Sequence, residues 1–222
     1  MGCKFCASGS NGFFRNLSFE EIVSQYEILK EELDIKGIAI AGIGEPTANW
    51  KNVLEALKKF KAENLKVTIT TTGFNTDGLK QLLSAKHDGI TLSVHGFSEE
   101  VRNKLFSRKF PFKKVKEIFE NHLNNLSKSQ RKKYQIGYLL LKNVNDNKSE
   151  LNTLSEFAQK YNITVMLMMY NKTENSNFFP VSKKEYEEAF VFLRRHRVRT
   201  TLSNRFRTDP LGGCGTLTIN RK

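Results

Sequence analysis

The 222-residue sequence contains no apolar run approaching the ~18–20 residues that span a bilayer, and no signal-peptide pattern follows Met1. Membrane-spanning and secreted classes are therefore set aside, and a cytoplasmic location is expected. Cysteine is scarce: Cys3, Cys6 and Cys214 are the only three. An odd number without a leader argues against a disulfide scaffold and points to metal or redox chemistry. There is no second Cys-x-x-Cys and no His pair to complete a zinc site around the first. The sequence also has no low-complexity tract and no internal repeat.

Negative charge is in short supply. Only 23 Asp and Glu stand against 36 Lys and Arg, a formal net charge of +13. Such an excess suits a polyanionic partner, because clustered cations release counterions from phosphates; it equally suits a lysine-rich chain with well-solvated helix faces. Local clusters tilt the balance towards nucleic acid. They are Arg108-Lys109 with Lys113, Lys114 and Lys116, then Arg131-Lys132-Lys133, then Arg194, Arg195, Arg197 and Arg199.

The composition, 39% hydrophobic and 27% charged, suits one globular domain over residues 1–222. Short apolar runs alternate with amphipathic ones. Ser18 with Glu21 forms a capping-box pattern that opens a helix to about residue 33. Strands are predicted over 37–43, 66–71, 89–94, 134–141, 164–169 and 198–203, the first of them buried. Helices are predicted over 50–63, 77–84, 99–106, 112–126, 150–161 and 183–195. Strands alternating with helices mean βα units and a mostly parallel sheet, either curled into a barrel or doubly wound.

In a parallel βα barrel the active site forms at the C-terminal ends of the strands. Unusual polar residues recur there: Gly44-Glu45-Pro46, Thr70 to Gly73, Ser93-Val94-His95, Asn143 to Asp146, Asn171 and Cys214. Each alone has a structural explanation; their repetition on one rim points to a site. At the other end of the sequence, Cys3-x-x-Cys6 has a chelating spacing, and by itself fits a zinc site, a redox dithiol or an iron–sulfur loop.

In context, the sequence resembles the RlmN/Cfr family of radical S-adenosylmethionine (SAM) RNA methyltransferases. That family's cluster loop reads C-x-x-x-C-x-F-C-x-T/S-G, followed by G-F-x-R-N-L. Here stand Cys3-Lys4-Phe5-Cys6-Ala7-Ser8-Gly9 and Gly12-Phe13-Phe14-Arg15-Asn16-Leu17. Gly42 to Pro46, with Asn49, Asn52 and Val53, matches the G-M-G-E-P block. Residues 68–73 resemble T-x-S-T-S-G. Residues 92–95, with Arg102, Lys104 and Leu105, resemble L-S-L-H-A and the helix after it. Residues 138–141 with Val144-Asn145-Asp146 resemble Y-x-L-L-x-x-V-N-D, and Cys214-Gly215 with Leu217 resembles A-C-G-Q-L.

The resemblance implies a partial (βα)6 TIM-like barrel whose first strand would precede Met1, along with an accessory RNA-binding domain. It implies a 4Fe–4S cluster held by three thiolates, with Cys3 and Cys6 as the second and third ligands and the first four residues before Cys3. Gly44 and Glu45 would grip the SAM amino group; Thr70, Ser93, Val94, His95 and Asn171 would make further SAM contacts. Cys214 would take a methyl group from one SAM. A radical from a second SAM would activate that group for addition to an adenine carbon in ribosomal RNA, with transfer RNA as a further substrate. A second catalytic cysteine and the family's proton-accepting glutamate would also lie upstream. A flavodoxin or ferredoxin would supply electrons to a monomer.

Two stretches depart from the family pattern. Lys172 to Pro180 replaces a Pro/Gly-rich loop, and Thr208-Asp209-Pro210-Leu211-Gly212-Gly213 precedes Cys214. Alternatives therefore stay open: a radical SAM enzyme with another substrate, an inactive paralogue that binds RNA, or a zinc site built from Cys3, Cys6 and Cys214.

Overall fold

The capping box read at Ser18 forms as expected in the computed structural model, which describes residues 2–10, 12–173 and 176–203. Ser18 Oγ accepts from the Glu21 N–H at 3.2 Å, and Glu21 returns a bond to the Ser18 N–H at 2.8 Å. Arg15 forks the same carboxylate at 2.6 and 2.7 Å and, with the Ser18 amide, brings its pKa down to about 2. The helix so started stops at Lys30, three residues short of the expected end.

In chain order the described elements are α1 (Ala7–Ser10), α2 (Phe19–Lys30), β1 (Gly37–Ile40), α3 (Trp50–Ala62), β2 (Lys66–Thr71), α4 (Thr76–Ser84), β3 (Gly89–Ser93), α5 (Glu99–Leu105), α6 (Phe112–Asn124), β4 (Tyr134–Leu140), α7 (Lys148–Tyr161), β5 (Thr164–Met169), α8 (Lys183–Arg195) and β6 (Thr200–Leu202). Short 3-10 turns precede α3 and β4. The sequence pattern anticipated every strand and every helix except the four-residue α1.

Contacts divide the chain into two compact units. One holds residues 14–92 and 111–125. Its strands run parallel in the order β1, β2, β3, with Gly37 opposite Lys66 and Thr68 opposite Gly89. Its core is Val53, Leu57 and Phe60 of α3, Val67 and Ile69 of β2, Leu79 and Leu82 of α4, Ile90 and Leu92 of β3, and Val115, Phe119 and Leu123 of α6, all buried. One expectation fails here. β1 is shorter than predicted and none of its residues is buried, because among the described residues it pairs with β2 alone. An apolar run placed at an edge reads like a central strand in sequence.

The other unit holds residues 2–10, 12–13, 93–110, 126–173 and 176–203. β4, β5 and β6 run parallel, with Gln135 opposite Thr164 and Val165 opposite Thr200. β4 is buried along nearly its whole length, the signature of a parallel strand covered on both faces. A cluster of Phe5, Val101, Leu105, Phe106, Leu139, Leu141, Met168 and Tyr170 fills the C-terminal side of these strands. No helix among the described residues is long and apolar enough to cross a membrane.

Candidate functional site

The two described cysteines lie on one tight turn. The Cys6 N–H donates to the Cys3 carbonyl at 3.2 Å, and the Gly9 N–H donates to the Cys6 carbonyl at 3.0 Å. A side chain at position 9 would bring its Cβ to 2.8 Å from the Cys3 carbonyl oxygen, so the turn requires glycine there. The turn is pinned to the end of α5. Cys3 forms an antiparallel bridge with Phe106, the Lys4 N–H donates to the Leu105 carbonyl at 2.9 Å, and the Ser107 N–H donates to Gly2 at 2.9 Å.

Phe5, between the cysteines, is buried and packs edge-on against His95 with centroids 5.3 Å apart. Lys4 points outward and bonds the Asn103 carbonyl. Thus Phe5 turns inward as an anchor and leaves both thiols half-buried, outside any disulfide. Sulfur-only donors on a short turn suit an iron–sulfur cluster. Beside them in the same packed cluster, the Tyr170 hydroxyl is buried with no hydrogen-bond partner, as a group would be that awaits a bound acceptor. Among the described residues no third His, Cys, Asp or Glu joins these thiols as a metal-binding group. The described turn therefore fits a cluster as two of its ligands.

Ser93 ends β3, and Val94 and His95 follow it in the same unit. The Val94 N–H donates to Gly137 of β4 at 3.1 Å, and His95 turns the chain with φ +58°, a left-handed conformation uncommon outside glycine. The His95 ring is buried. Its Nδ1 accepts from the Leu139 N–H at 3.0 Å, which places the ring proton on Nε2. Burial, seconded by the nearby Arg102 cation, pushes its pKa down to about 3, so the ring is neutral at physiological pH.

Asn145, fully buried, locks this loop. Its amide donates to the carbonyls of His95 and Leu139, both at 2.7 Å, and its oxygen accepts from the Leu141 N–H at 2.7 Å. Arg102 completes the clamp. Its Nη1 donates to the Val94 and Gly96 carbonyls at 3.3 and 3.1 Å, and its guanidinium lies over Phe106 and Phe110 at 5.0 and 4.4 Å from their centroids. Burial lowers its pKa to about 10, against the raising influence of Glu150 and Cys3. Glu150 itself accepts from the Phe97 and Ser98 N–H groups at 2.7 and 2.8 Å, fixing the entry to α5. Asn171, half-buried, follows Tyr170 just beyond β5.

Gly44, Glu45 and Thr70 belong to the other unit. Gly42 and Gly44 take φ of +100° and +134° in open space, so this turn is set by backbone conformation rather than crowding. Glu45 then caps the 3-10 turn at Pro46–Asn49 and gathers five donors. One oxygen accepts from the Thr47 N–H, the Thr47 hydroxyl and the Thr71 hydroxyl; the other accepts from the Thr72 N–H at 3.0 Å and hydroxyl at 2.7 Å. The same three hydroxyls accept from the N–H groups of Asn75, Gly73 and Phe74. The carboxylate is therefore the hub of the turn between β2 and α4. Thr70, named from the motif, sits half-buried on β2; the threonines engaged by Glu45 are Thr47, Thr71 and Thr72. The run of three threonines carried that signal, but sequence alone does not say which face each takes. Cys214 lies outside the described residues.

The comparisons with known proteins speak to the family and the fold. The sequence matches the radical SAM superfamily over residues 1–152. It is 29% identical to a probable dual-specificity RNA methyltransferase RlmN from Protochlamydia amoebophila, over 98% of this chain and 63% of that protein. Identity is again 29% to the dual-specificity RNA methyltransferase RlmN of Buchnera aphidicola, over 100% of this chain and 65% of the relative. The chain thus spans slightly less than two thirds of the length of these curated relatives. Among solved structures, a radical SAM methyltransferase from Sphaerobacter thermophilus superposes with a TM-score of 0.84 at 21% identity, covering 97% of this chain and 66% of that one. Streptococcus suis SuiB bound to its precursor peptide gives 0.70 at 17% identity, over 94% of this chain and 47% of that one. The α/β fold of the partial (βα)6 type and the likeness to RlmN-type enzymes are both borne out, and on the match to more than half its length the chain belongs to the radical SAM superfamily.

Proposed function

We propose that the chain is the catalytic core of a radical SAM methyltransferase that modifies an adenine carbon in RNA, ribosomal RNA first and transfer RNA as a further substrate. The observation that carries this is the cysteine turn: two half-buried thiols, with Phe5 buried between them and Gly9 closing the loop, at the start of a sequence that follows RlmN-type enzymes to its end. A 4Fe–4S cluster held there would supply one-electron chemistry able to split SAM into methionine and a carbon radical.

The chain's own residues do the rest. Cys3 and Cys6 hold iron as thiolates. Glu45 presents carboxylate charge to the SAM ammonium; its oxygens already serve five protein donors, so this contact forms by exchange with one of them. Ser93, Thr70 and Asn171 supply polar groups for the ribose, carboxylate and adenine, with Val94 as a further SAM contact. The neutral His95 ring contributes through its Nε2–H, since Nδ1 is committed to Leu139. Cys214 carries the methyl group to the base. This route suits an aromatic carbon, which is too weak a nucleophile to take a methyl group from SAM by direct displacement. The target base must leave its stack to be reached, and a basic surface would hold the flanking phosphates. A small flavodoxin- or ferredoxin-type protein supplies the electron, and the enzyme acts as a monomer in the cytoplasm.

The experiment is Cys214→Ala. It should abolish RNA methylation and spare reductive SAM cleavage; methylation that survives the substitution contradicts the methyl-carrier role. The departures at 172–180 and 208–213 favour a second reading, a radical SAM enzyme with a different substrate. SAM cleavage stimulated by no ribosomal or transfer RNA would select it.

A further inference from the structure

The arginines at the C-terminal ends of α7 and α8 are not used by any of this chemistry. Arg194, Arg195, Arg197 and Arg199 fall within six residues and are four of the chain's 11 arginines. The first three are exposed. They contrast with the lysines on the same helix. Lys183 and Lys184 reach Glu187 and Glu188 one turn on, at 3.9 and 4.0 Å, and lysines elsewhere pair likewise: Lys59 with Glu63, Lys104 with Glu100, Lys116 with Glu120. None of the ion pairs seen among the described residues takes one of the four arginines.

The local backbone makes a platform of them. α7 is capped by Asn162 and α8 is followed by His196 and Arg197; Asn162 and Arg197 are in the left-handed conformation at φ +53° and +55°. The two ends are tied together: Gln159 donates to the His196 carbonyl and Arg199 Nη2 to the Asn162 carbonyl. A polar-lined cavity of about 350 Å³ opens between them, bordered by Gln159, Asn162, Arg197 and Arg199, and the Arg199 Nε is buried without a partner.

A structural explanation accounts for part of this. Cations in the last turn complement a helix dipole, and Arg194 and Arg195 do so for α8. Arg197 and Arg199 lie beyond the helix, and of the four only Arg199 bonds the end of α7, at the Asn162 carbonyl. The remaining charge, on guanidiniums whose fork geometry suits phosphate, takes no ion pair among the described residues. Its place in the fold is also specific. Arg199 and Thr200 lead into β6 beside the start of β5, whereas Asn171 follows the end of β5. Six residues of strand separate the two rims by roughly 20 Å.

We infer that Arg194, Arg195, Arg197 and Arg199 form a phosphate-binding surface that takes the RNA backbone several nucleotides away from the reacting base. This rests on the RNA reading given above and names the face that holds the RNA. Such a surface adds affinity without touching the chemistry, so its loss acts on binding.

The test compares two matched double variants of α8, Arg194→Gln/Arg195→Gln and Lys183→Gln/Lys184→Gln, each removing two exposed charges from the same helix. The probe is a fluorescein-labelled single-stranded RNA with a short hairpin, followed by anisotropy between 50 and 200 mM salt, with circular dichroism confirming the fold. The arginine variant should bind roughly 10–30-fold more weakly near 0.1 M salt and lower the log–log salt slope by about 1.4, at 0.7 per lost single-strand phosphate contact. The lysine variant should stay within about twofold. Arg197→Asn, which suits the left-handed backbone, should weaken binding a further few-fold. Equal losses in both double variants, or no loss in the arginine variant, overturn the inference while leaving the RNA reading intact. Failure of the unaltered protein to bind the RNA at all overturns the RNA reading with it. Unchanged RNA binding with lost affinity for phosphatidylserine vesicles would assign the patch to a membrane and overturn it too.

Discussion

Replacing Glu45 with glutamine tests the most connected group of the candidate site. The substitution keeps size and shape but turns one acceptor oxygen into an amide donor. Five donors converge on the carboxylate, and the two bonds from Thr72 fall on one oxygen. With an NH2 in that place, the Thr72 N–H loses its acceptor. The Thr72 hydroxyl could turn to accept, but only by competing with the Phe74 N–H it now serves. Hydrogen bonds to charged groups contribute about 1.5–3 kcal/mol each, and an unsatisfied N–H costs about 1–3 kcal/mol. The site is half-buried, so the lower ends apply, and the expected loss is about 2–4 kcal/mol. Urea denaturation of the unliganded protein measures it as a lower midpoint at unchanged slope. A cycle with Thr72→Val should show a coupling of at least about 0.5 kcal/mol, as expected for groups in one network. A Glu45→Gln protein within about 0.5 kcal/mol of the parent would refute the hub and leave Glu45 as a ligand contact alone.

Other consequences follow from the clamp around His95. The folded-state pKa of His95 is lowered to about 3, so the unfolded chain takes up this proton first as pH falls. The neutral-ring contribution is present above about pH 6.5 and is lost on acidification towards pH 3, at about 1.4 kcal/mol per pH unit. Subtracting the stability of His95→Asn from that of the parent across pH 4–7 should reveal it; a flat difference contradicts the assignment. Asn145→Leu strands two carbonyls and one N–H in the interior and should cost about 3–5 kcal/mol, read as a fall in thermal midpoint; a loss under 1 kcal/mol contradicts the lock. Arg102→Gln should cost about 3 kcal/mol by removing a buried cation from Val94, Gly96 and the field of Glu150, while Arg102→Lys should recover part of it; equal losses would show that the charge contributes nothing.

Element type and order were legible because they rest on local chemistry. Ser18–Glu21 announces a helix start in any context, and the β-rich runs at 66–71 and 164–169 have the right length and flanks for strands. Burial was less legible. The 37–43 run looked like a core strand and is an exposed edge, since its neighbours in the sheet are not written in its own residues. The site showed the same division. The turn carrying Cys3 and Cys6 follows from spacing, and Glu45 from its motif. The bond that ties Asn145 to His95, 50 residues away, and the bond from Arg102 back to Val94 are set by the folded loop, and no local pattern encodes them. The αL conformation of His95 was likewise invisible, because histidine carries no strong preference for it. Phe5 could have been found: a large apolar residue inside a two-residue chelating loop has to be buried somewhere.

The central claim is that Cys3 and Cys6 hold an iron–sulfur cluster that reduces SAM. It is tested most directly by loading the protein anaerobically with iron and sulfide, together with any in-frame sequence preceding Met1. The account predicts about four irons and four sulfides per chain, a broad thiolate-to-iron absorption, and 5′-deoxyadenosine formed from SAM once a reductant is added, all lost in Cys3→Ala/Cys6→Ala. A single bound zinc per chain, with no SAM cleavage, would contradict it.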